Sequence, residues 1–175
     1  MDDRLKRSFP PAGSSSPVLL ILGSLPGERS LAEQRYYAHP ANQFWRLLGE
    51  AIAVDLAAGD YDKRLALLTD HRIALWDVVA RARRSGSLDG AIRDAAANPL
   101  LDFVGIHHDL RGIAFNGKTA ARIGRKVLAS AATTAALIDL PSSSPAYTAR
   151  FADKVERWAV LGDFAARPLS VTRTI

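Results

Sequence analysis

Four short, largely apolar runs stand out along this chain. The first, residues 18–22, consists of five consecutive apolar residues and ends at Gly23. The others occupy residues 73–79, 112–116 and 135–140. Apolar runs of this length, bounded by glycine or polar residues, are typical of strands buried on both faces of a sheet. The sequence therefore predicts four buried strands.

Helical periodicity lies between and after the predicted strands. Residues 42–52 carry apolar side chains at helical spacing, and Asn42 is well placed to cap this helix. Two later segments, around Ile123 and around Val155, each have one apolar face. Strands that alternate with helices indicate a parallel sheet covered on both faces, and thus an α/β fold.

Length and composition favour one globular domain. The chain has 175 residues, of which 48% are hydrophobic and 23% are charged. Residues 1–17 are rich in charge, proline and serine and predict a flexible leader, followed by a single domain over residues 18–175. Residues 167–175 show no clear periodicity. The absence of cysteine excludes a disulfide framework, a thiol nucleophile and a cysteine-based zinc site.

The charge balance suggests a polyanionic partner. Lysine and arginine exceed aspartate and glutamate by five, which gives a net charge of +5. A basic surface attracts nucleic acid. The longest apolar runs are too short to cross a membrane, and the N-terminus lacks the apolar core of a secretion signal. We therefore expect a soluble, cytoplasmic protein that is monomeric and does not bind a membrane.

Ligand sites in parallel α/β sheets lie beyond the carboxyl ends of the strands. In this chain, the segments that follow the four predicted strands are residues 23–27, 77–86, 116–119 and 141–147. We expect the functional residues to lie in these segments.

One candidate among them is a phosphate-binding loop. Residues 112–119 fit the pattern G-x-x-x-x-G-K-[ST], in which Lys118 and Thr119 would contact a nucleotide and its magnesium ion. Such a loop needs a strand before its first glycine, but residues 107–111 are polar. The residues between the two glycines also look like a strand. A strand, a glycine turn and a helix start are therefore the favoured interpretation, with a nucleotide-binding protein as the alternative.

A second set of segments carries a longer and more specific pattern. Residues 23–27 read GSLPG, residues 36–45 read YYAHPANQFW, and residues 75–79 read LWDVV. Residues 115–118 read FNGK, and residues 140–146 read LPSSSPA. Together these segments resemble the uracil-DNA glycosylase superfamily, and within it the hypoxanthine-DNA glycosylase branch, known as family six. The resemblance implies a three-layer α/β/α sandwich with a short, mostly parallel four-stranded sheet.

The resemblance also implies hydrolysis of the bond between a deaminated base and its deoxyribose. Mismatch-specific relatives carry a water-positioning Asn in the first motif, where this chain has Leu25. In the hypoxanthine branch the Asn of the HPxNxFW segment takes over, which here is Asn42. The His of the second motif corresponds to Ser142. The implied catalytic set is therefore Asn42, His39 and Ser142, with no cofactor and no metal, and with hypoxanthine as a better substrate than uracil.

The chemistry of base release gives further candidates. A base must leave the DNA stack before it can be hydrolysed, which requires an aromatic platform and polar groups that read its edge. The resemblance implies that Tyr37 lies where members of the family stack the flipped base, and that Asp77 lies where some of them have an Asn that reads the base edge. A carboxylate at that position would favour a base that presents an N–H donor, as hypoxanthine does. The full expected substrate-binding set is Gly23, Ser24, Leu25, Pro26, Gly27, Tyr37, Asp77 and Asn116. The expected DNA-binding set is Lys118, Ser143, Ser144, Arg81, Arg83 and Arg84.

Structural roles remain open for each candidate. Asn42 could simply cap a helix, His39 could bond the backbone of its own loop, and Asp77 could cap a turn. The chain could also be a glycosylase-like module that binds nucleic acid without catalysis. Binding to lesion-containing DNA without base release would distinguish that alternative.

Overall fold

The computed structural model describes residues 5–166 of the chain. Its main sheet has five strands in the order β2-β4-β3-β7-β8. These are β2 (Ala12–Gly13), β3 (Leu19–Gly23), β4 (Ile73–Asp77), β7 (Gly112–Asn116) and β8 (Ala136–Leu140). The last four are mutually parallel, and β2 adds one antiparallel edge. The predicted mostly parallel, four-stranded sheet is thus confirmed, with one short edge strand added.

Helices cover both faces of this sheet. They are α1 (Glu28–Glu33), α2 (Phe44–Ile52), α3 (Tyr61–Asp70), α4 (Leu100–Ile106), α5 (Lys118–Leu128) and α6 (Phe151–Trp158), with two short 3₁₀ segments at Asp89–Ala91 and Ala159–Asp163. Side chains alternate along β3, so Leu20 and Leu22 join the core under α4 and α5. Leu19 and Ile21 join the opposite core under α2 and α6. The result is the expected three-layer α/β/α arrangement.

A second, antiparallel sheet was not predicted. It has the order β1-β5-β6 and consists of β1 (Leu5–Arg7), β5 (Val79–Arg83) and β6 (Arg93–Ala97). The predicted strand over residues 73–79 is therefore two strands, because the chain leaves the main sheet after Asp77. Val78 and Val79 still bond back to it, donating to the carbonyls of Gly23 and Ser24.

The flexible leader predicted for residues 1–17 is wrong over the residues that the structure describes. β1 and β2 lie within it, and each pairs with a strand from the body of the domain. Lys6 is buried and bonds Glu28 and the Gly86 carbonyl. The composition of this segment does not reveal that it is ordered, because the strands that pair with β1 and β2 lie some 60 to 80 residues away in sequence. Residues 1–4 and the tail at 167–175 lie outside the described residues.

The phosphate-loop alternative is not compatible with this fold. The residues between its two glycines form β7, which is buried along its whole length between β3 and β8. A phosphate cradle needs those residues as an open loop with free N–H groups. None of the helices found within residues 5–166 combines the length and the apolar character needed to cross a lipid bilayer.

Candidate active site

A cavity of about 470 Å³ opens where the carboxyl ends of the parallel strands meet. This volume is within the usual range for small-molecule sites. Every residue of the predicted catalytic and substrate-binding sets lines it: Gly23, Ser24, Leu25, Pro26, Gly27, Tyr37, His39, Asn42, Asp77, Asn116 and Ser142. The fold therefore brings together residues that are up to 119 positions apart in sequence.

Gly23 lies at the floor of the cavity, at the end of β3. A Cβ atom at this position would lie 2.7 Å from Asp77 Oδ1 and 3.0 Å from the Tyr37 hydroxyl oxygen. The first contact would force the Asp77 carboxyl to shift, and the second would be tight for the Tyr37 hydroxyl. Glycine leaves room between these two polar groups, which come from β4 and from the loop before α2.

Tyr37 forms one wall of the cavity. Its ring stacks on Phe44 with the centroids 3.7 Å apart and the planes at 6°. Its backbone has a φ of 53°, a left-handed conformation that is uncommon for an aromatic residue. Because Phe44 covers one face of the ring, only the opposite face remains for a flat ligand. The hydroxyl is buried without a hydrogen bond. Burial and the nearby Asp77 raise the pKa of Tyr37 against the weaker, opposing effect of Asn116, so the phenol stays protonated.

Asn42 lies at the start of α2, although not at the predicted capping position. The helix begins at Phe44 and the N-cap residue is Gln43. The Asn42 side chain nevertheless meets the helix, because its Oδ1 accepts the Phe44 N–H at 3.0 Å. A backbone N–H can only donate, so this bond fixes which end of the amide is oxygen. The Asn42 NH₂ group and one oxygen lone pair remain for other partners.

His39 is held by its own loop. Its Nδ1 accepts the Ala41 N–H at 3.1 Å, and the His39 carbonyl accepts the Asn42 N–H at 2.9 Å. A ring nitrogen that accepts a hydrogen bond carries no proton, so the neutral ring is the Nε2–H tautomer. His39 therefore offers the cavity a donor and not a base.

Asp77 is the buried carboxyl of the site. Its side chain is almost fully covered, and its Oδ2 accepts the Ser8 hydroxyl at 3.0 Å. Burial raises the pKa of Asp77 to about 7, against the opposing effects of the Ser8 hydrogen bond and the Arg84 charge. Asn98 fixes the backbone here by donating to the Asp77 carbonyl at 2.8 Å. Asp77 thus changes its protonation state near neutral pH.

The serine-rich loop after β8 closes the opposite side of the cavity. Ser142 Oγ accepts the Ser144 N–H at 3.1 Å, and Ser144 Oγ accepts the Ala146 N–H at 3.2 Å. These two hydroxyls therefore shape the loop and can still donate. Ser143 differs, since it is completely buried and bonds Asn116. Ser143 lines the cavity, but its hydroxyl is engaged by Asn116 inside the protein, which does not favour the predicted contact with DNA.

Arg84 is also misplaced in the predicted DNA-binding set. Its side chain is completely buried and donates to the backbone carbonyls of Leu25, Pro26 and Gly86. It holds the loop after β5 against the loop after β3. Arg81 and Arg83 are exposed on β5, and Lys118 is exposed at the start of α5. These three lie outside the cavity lining.

Several residues of the site are absent from the predicted sets. Asp89 lines the cavity and accepts the Ser24 hydroxyl on its Oδ1 at 2.6 Å, and Ser8 reaches Asp77 from the N-terminal segment. Lys154 is buried beneath the serine-rich loop and donates to Gln43 Oε1 and to the Tyr147 carbonyl, both at 2.8 Å. The sequence carried no comparable signal for these three residues. For Arg84 it did, because alternation along a strand places Arg84 on the opposite face from Arg81 and Arg83.

Metal ligation has no support in the part of the chain that the structure describes. Within residues 5–166, no group of three or more His, Asp or Glu side chains is arranged to hold a metal ion.

Comparison with known proteins gives consistent matches. Residues 10–164 match the sequence model of the uracil DNA glycosylase superfamily. A protein of Methanosarcina barkeri (strain Fusaro / DSM 804) named hypoxanthine DNA glycosylase is 42% identical over 113 residues, covering 65% of this chain and 72% of that protein. A protein of the same name from Methanosarcina acetivorans is 44% identical over 119 residues, covering 66% and 73%. A solution NMR structure of a proposed uracil DNA glycosylase from Methanosarcina acetivorans has a TM-score of 0.80 and 35% identity, and the match covers 91% of this chain and 97% of that one.

Proposed function

Since this chain belongs to the uracil DNA glycosylase superfamily, we propose that it releases deaminated bases from DNA in base excision repair, with hypoxanthine as its first substrate. The observation that carries this proposal is the composition of the cavity. One space of about 470 Å³ is bordered by an amide, an aromatic face and a buried carboxyl, from Asn42, Tyr37 and Asp77. A flipped base is held by stacking and by hydrogen bonds to its edge, and these groups can supply both.

The proposed reaction is a displacement by water at C1′ of the deoxyribose. The C1′–N9 bond breaks, and its electron pair leaves with the base. A water oxygen forms the new bond to C1′ and loses a proton, while the departing base gains a proton on a ring nitrogen. The transition state has cation-like character at the sugar, so groups that hold water and stabilise the leaving base accelerate it.

Asn42 is the proposed water-holding group. The Phe44 N–H fixes the orientation of its amide, which leaves one oxygen lone pair to accept a proton of the water. The NH₂ group can at the same time donate to the water or to the sugar. The Nε2–H of His39 is the proposed donor to a DNA phosphate or to the water, and the Ser142 hydroxyl is the proposed donor to the leaving base.

Asp77 and Asn116 are the proposed readers of the base edge. Hypoxanthine presents an N1–H donor next to an O6 acceptor. An ionised Asp77 accepts a hydrogen bond and cannot donate one, so it favours this edge over that of adenine, whose N1 is an acceptor. The free side of the Tyr37 ring stacks the purine, which by comparison with other nucleic-acid sites contributes about 1–3 kcal/mol.

The antiparallel sheet supports a role in holding DNA beside the cavity. Arg7 lies opposite Arg81, and Arg83 lies opposite Arg93, so arginines face one another across neighbouring strands. All four are exposed. Like charges in directly opposite positions repel, and although Asp94 lies 3.8 Å from Arg83, phosphate groups would further compensate this cluster of positive charge. Together with Lys118 and Ser144 near the cavity, these arginines are the proposed phosphate contacts.

The decisive test is single-turnover base release from matched oligonucleotides that contain deoxyinosine, deoxyuridine or deoxyxanthosine. We expect release from deoxyinosine to be fastest, because Leu25 and Ser142 replace the Asn and His that help to expel a small pyrimidine. A faster rate on deoxyuridine in every pairing context would overturn the choice of hypoxanthine. Tight binding to deoxyinosine DNA without any base release would favour the non-catalytic alternative.

A further inference from the structure

One face of α6 carries two buried polar side chains. Lys154 and Trp158 are one helical turn apart, and neither is more than 1% exposed. Trp158 Nε1 donates to the Pro141 carbonyl at 3.0 Å, and Lys154 Nζ donates to the Tyr147 carbonyl at 2.8 Å. Pro141 and Tyr147 are the two ends of the serine-rich loop, residues 141–147. This face of α6 therefore fixes both ends of the loop that closes one side of the cavity.

The same lysine also holds the segment that carries Asn42. Lys154 Nζ donates to Gln43 Oε1 at 2.8 Å, and Gln43 directly follows Asn42 in the chain. Gln43 is bonded to the serine-rich loop as well, because its N–H donates to the Ser143 carbonyl at 3.0 Å. The start of α2 and the serine-rich loop are thus joined to each other directly and again through Lys154.

Lys154 has no carboxylate partner among the described residues. Its ammonium group is bonded by one amide oxygen and one backbone carbonyl, and it lies 5.2 Å from the centre of the Tyr147 ring. Burial of a charge without a counterion costs free energy, and an apolar side chain of similar volume often serves stability as well or better. Stability alone therefore does not explain a lysine at this position.

We propose that Lys154 is a positioning residue for base release. Through its two hydrogen bonds it sets the separation between Asn42 and Ser142. This inference rests on the proposed function, in which Asn42 holds the water and Ser142 donates to the leaving base. Groups that act together on the attacking water and on the leaving base must keep a fixed separation, and a displacement of about 1 Å can lower a rate by about a hundredfold. Lys154 does not line the cavity, so it acts through its neighbours.

Lys154→Met tests this role, because methionine keeps most of the length of the side chain and removes the donor. We expect the single-turnover rate of hypoxanthine release at saturating enzyme to fall by about tenfold or more, while the Kd for the deoxyinosine substrate changes by less than about threefold. Leu68→Ala is the control for stability, because Leu68 is buried in the core on α3 and does not line the cavity. It should lower the free energy of unfolding and leave the rate unchanged. A wild-type rate in Lys154→Met, or an equal loss of rate in Leu68→Ala, would overturn the proposal.

A double-mutant cycle shows whether the hydrogen bond to Gln43 carries the effect. Gln43→Leu should also lower the rate, and its combination with Lys154→Met should lower the rate little further, because both changes remove the same contact. Gln43→Glu keeps an acceptor for Lys154 and should lose less of the rate than Gln43→Leu. Losses of rate that add fully in the double variant would contradict the proposal.

A second measurement does not depend on base release. The N–H groups of Gln43 and Ser144 donate to the Ser143 carbonyl and to the Ser142 hydroxyl, so their hydrogen exchange reports whether both segments stay in place. Relative to the amides of β3, both should exchange faster in Lys154→Met than in the wild type, and unchanged exchange would also overturn the proposal. If the wild-type protein released no hypoxanthine from any substrate, the proposed function would fail, while this exchange difference would still decide whether Lys154 holds the two segments.

Discussion

Asn116 and Ser143 hold each other through two reciprocal hydrogen bonds. Asn116 Nδ2 donates to Ser143 Oγ at 2.8 Å, and the Ser143 N–H donates to Asn116 Oδ1 at 2.9 Å. Both residues are buried, and they join the end of β7 to the serine-rich loop after β8. Because each amide end has a defined partner, the side chain of Asn116 presents a fixed donor and acceptor to the cavity.

The first prediction follows from this pair. Ser143→Ala removes the acceptor for Asn116 Nδ2 and leaves a buried N–H without a partner, which costs about 1–3 kcal/mol. We therefore expect a loss of this size in the free energy of unfolding, measured in urea, together with weaker binding of the deoxyinosine substrate. Ser144→Ala is the control for the loss of stability, since that hydroxyl bonds a backbone N–H in a more exposed stretch where water can replace it. Equal losses in the two variants would contradict the special role of Ser143.

The second prediction concerns Asn42. We expect Asn42→Ala to lower the single-turnover rate of base release by on the order of a hundredfold or more, because a transition-state contact is lost. The variant should also lose about 1 kcal/mol of stability, since its Oδ1 accepts the Phe44 N–H. Stability and rate must therefore be measured on the same preparation.

Two further variants separate the chemistry of Asn42 from its structural contact. Asn42→Asp keeps an oxygen for the Phe44 N–H and should restore stability, with a changed pH dependence of the rate. Leu25→Ala alters a side chain that is buried in the core. Its main effect should therefore be on the free energy of unfolding, and not on the rate of base release at saturating enzyme. A folded Asn42→Ala protein with a near wild-type rate would show that Asn42 is only structural.

The main sheet was predictable because β3 and β7 are buried along their whole length, and the edge strand β8 is apolar except for Asp139. β3, β7 and β8 lie within one residue of the runs read from the sequence. β1 and β2 were missed because their order depends on distant partners. β1 has a single buried residue, Lys6, and β2 has only two residues. Such short segments carry no periodicity of their own.

The residues of the candidate site were predictable where they belong to a sequence motif. They were not predictable where the tertiary fold decides whether a side chain is buried or exposed. Asn42, Tyr37 and Asp77 come from segments with a recognisable pattern, and all three line the cavity. Arg81 and Arg84 look alike in sequence, yet one is exposed and the other is completely buried. The contact between Ser8 and Asp77 spans 69 residues and follows only from the pairing of β1 with β5.

The third prediction contrasts those two arginines. Arg84→Ala leaves backbone carbonyls of a buried loop unpaired, so we expect it to destabilise the protein by about 3 kcal/mol. Arg81→Ala should leave stability within about 0.5 kcal/mol of the wild type, since Arg81 is exposed. It should instead lower the slope of log Kd against log salt for duplex DNA by about one. An unchanged salt slope in Arg81→Ala would remove Arg81 from the DNA interface.

The last prediction concerns pH and the buried carboxyl of Asp77. Its pKa is about 7 in the folded protein, against an ordinary value of 3.8. Only the ionised form accepts the N1–H of hypoxanthine without also donating, so we expect base release to rise with pH through about 7. The free energy of unfolding changes with pH in the opposite direction. Between about pH 4 and pH 7 the folded chain keeps a proton that the unfolded chain releases, so the stabilisation present at low pH is lost as pH rises through this window.

The Asp77→Asn variant tests both predicted pH dependences, that of the rate and that of the stability. An amide cannot ionise, and it can still accept the Ser8 hydroxyl, so the variant should fold. We expect its unfolding free energy to fall less between about pH 4.5 and pH 8 than that of the wild type, and to exceed the wild-type value by on the order of 1 kcal/mol or more at the upper end. Its rate on deoxyinosine should be lower and should lack the rise through neutral pH. His39→Gln is the control, because it removes the imidazole that lines the same cavity. If Asp77→Asn keeps the wild-type pH profile while His39→Gln flattens it, the titrating group is His39 and Asp77 does not read the base.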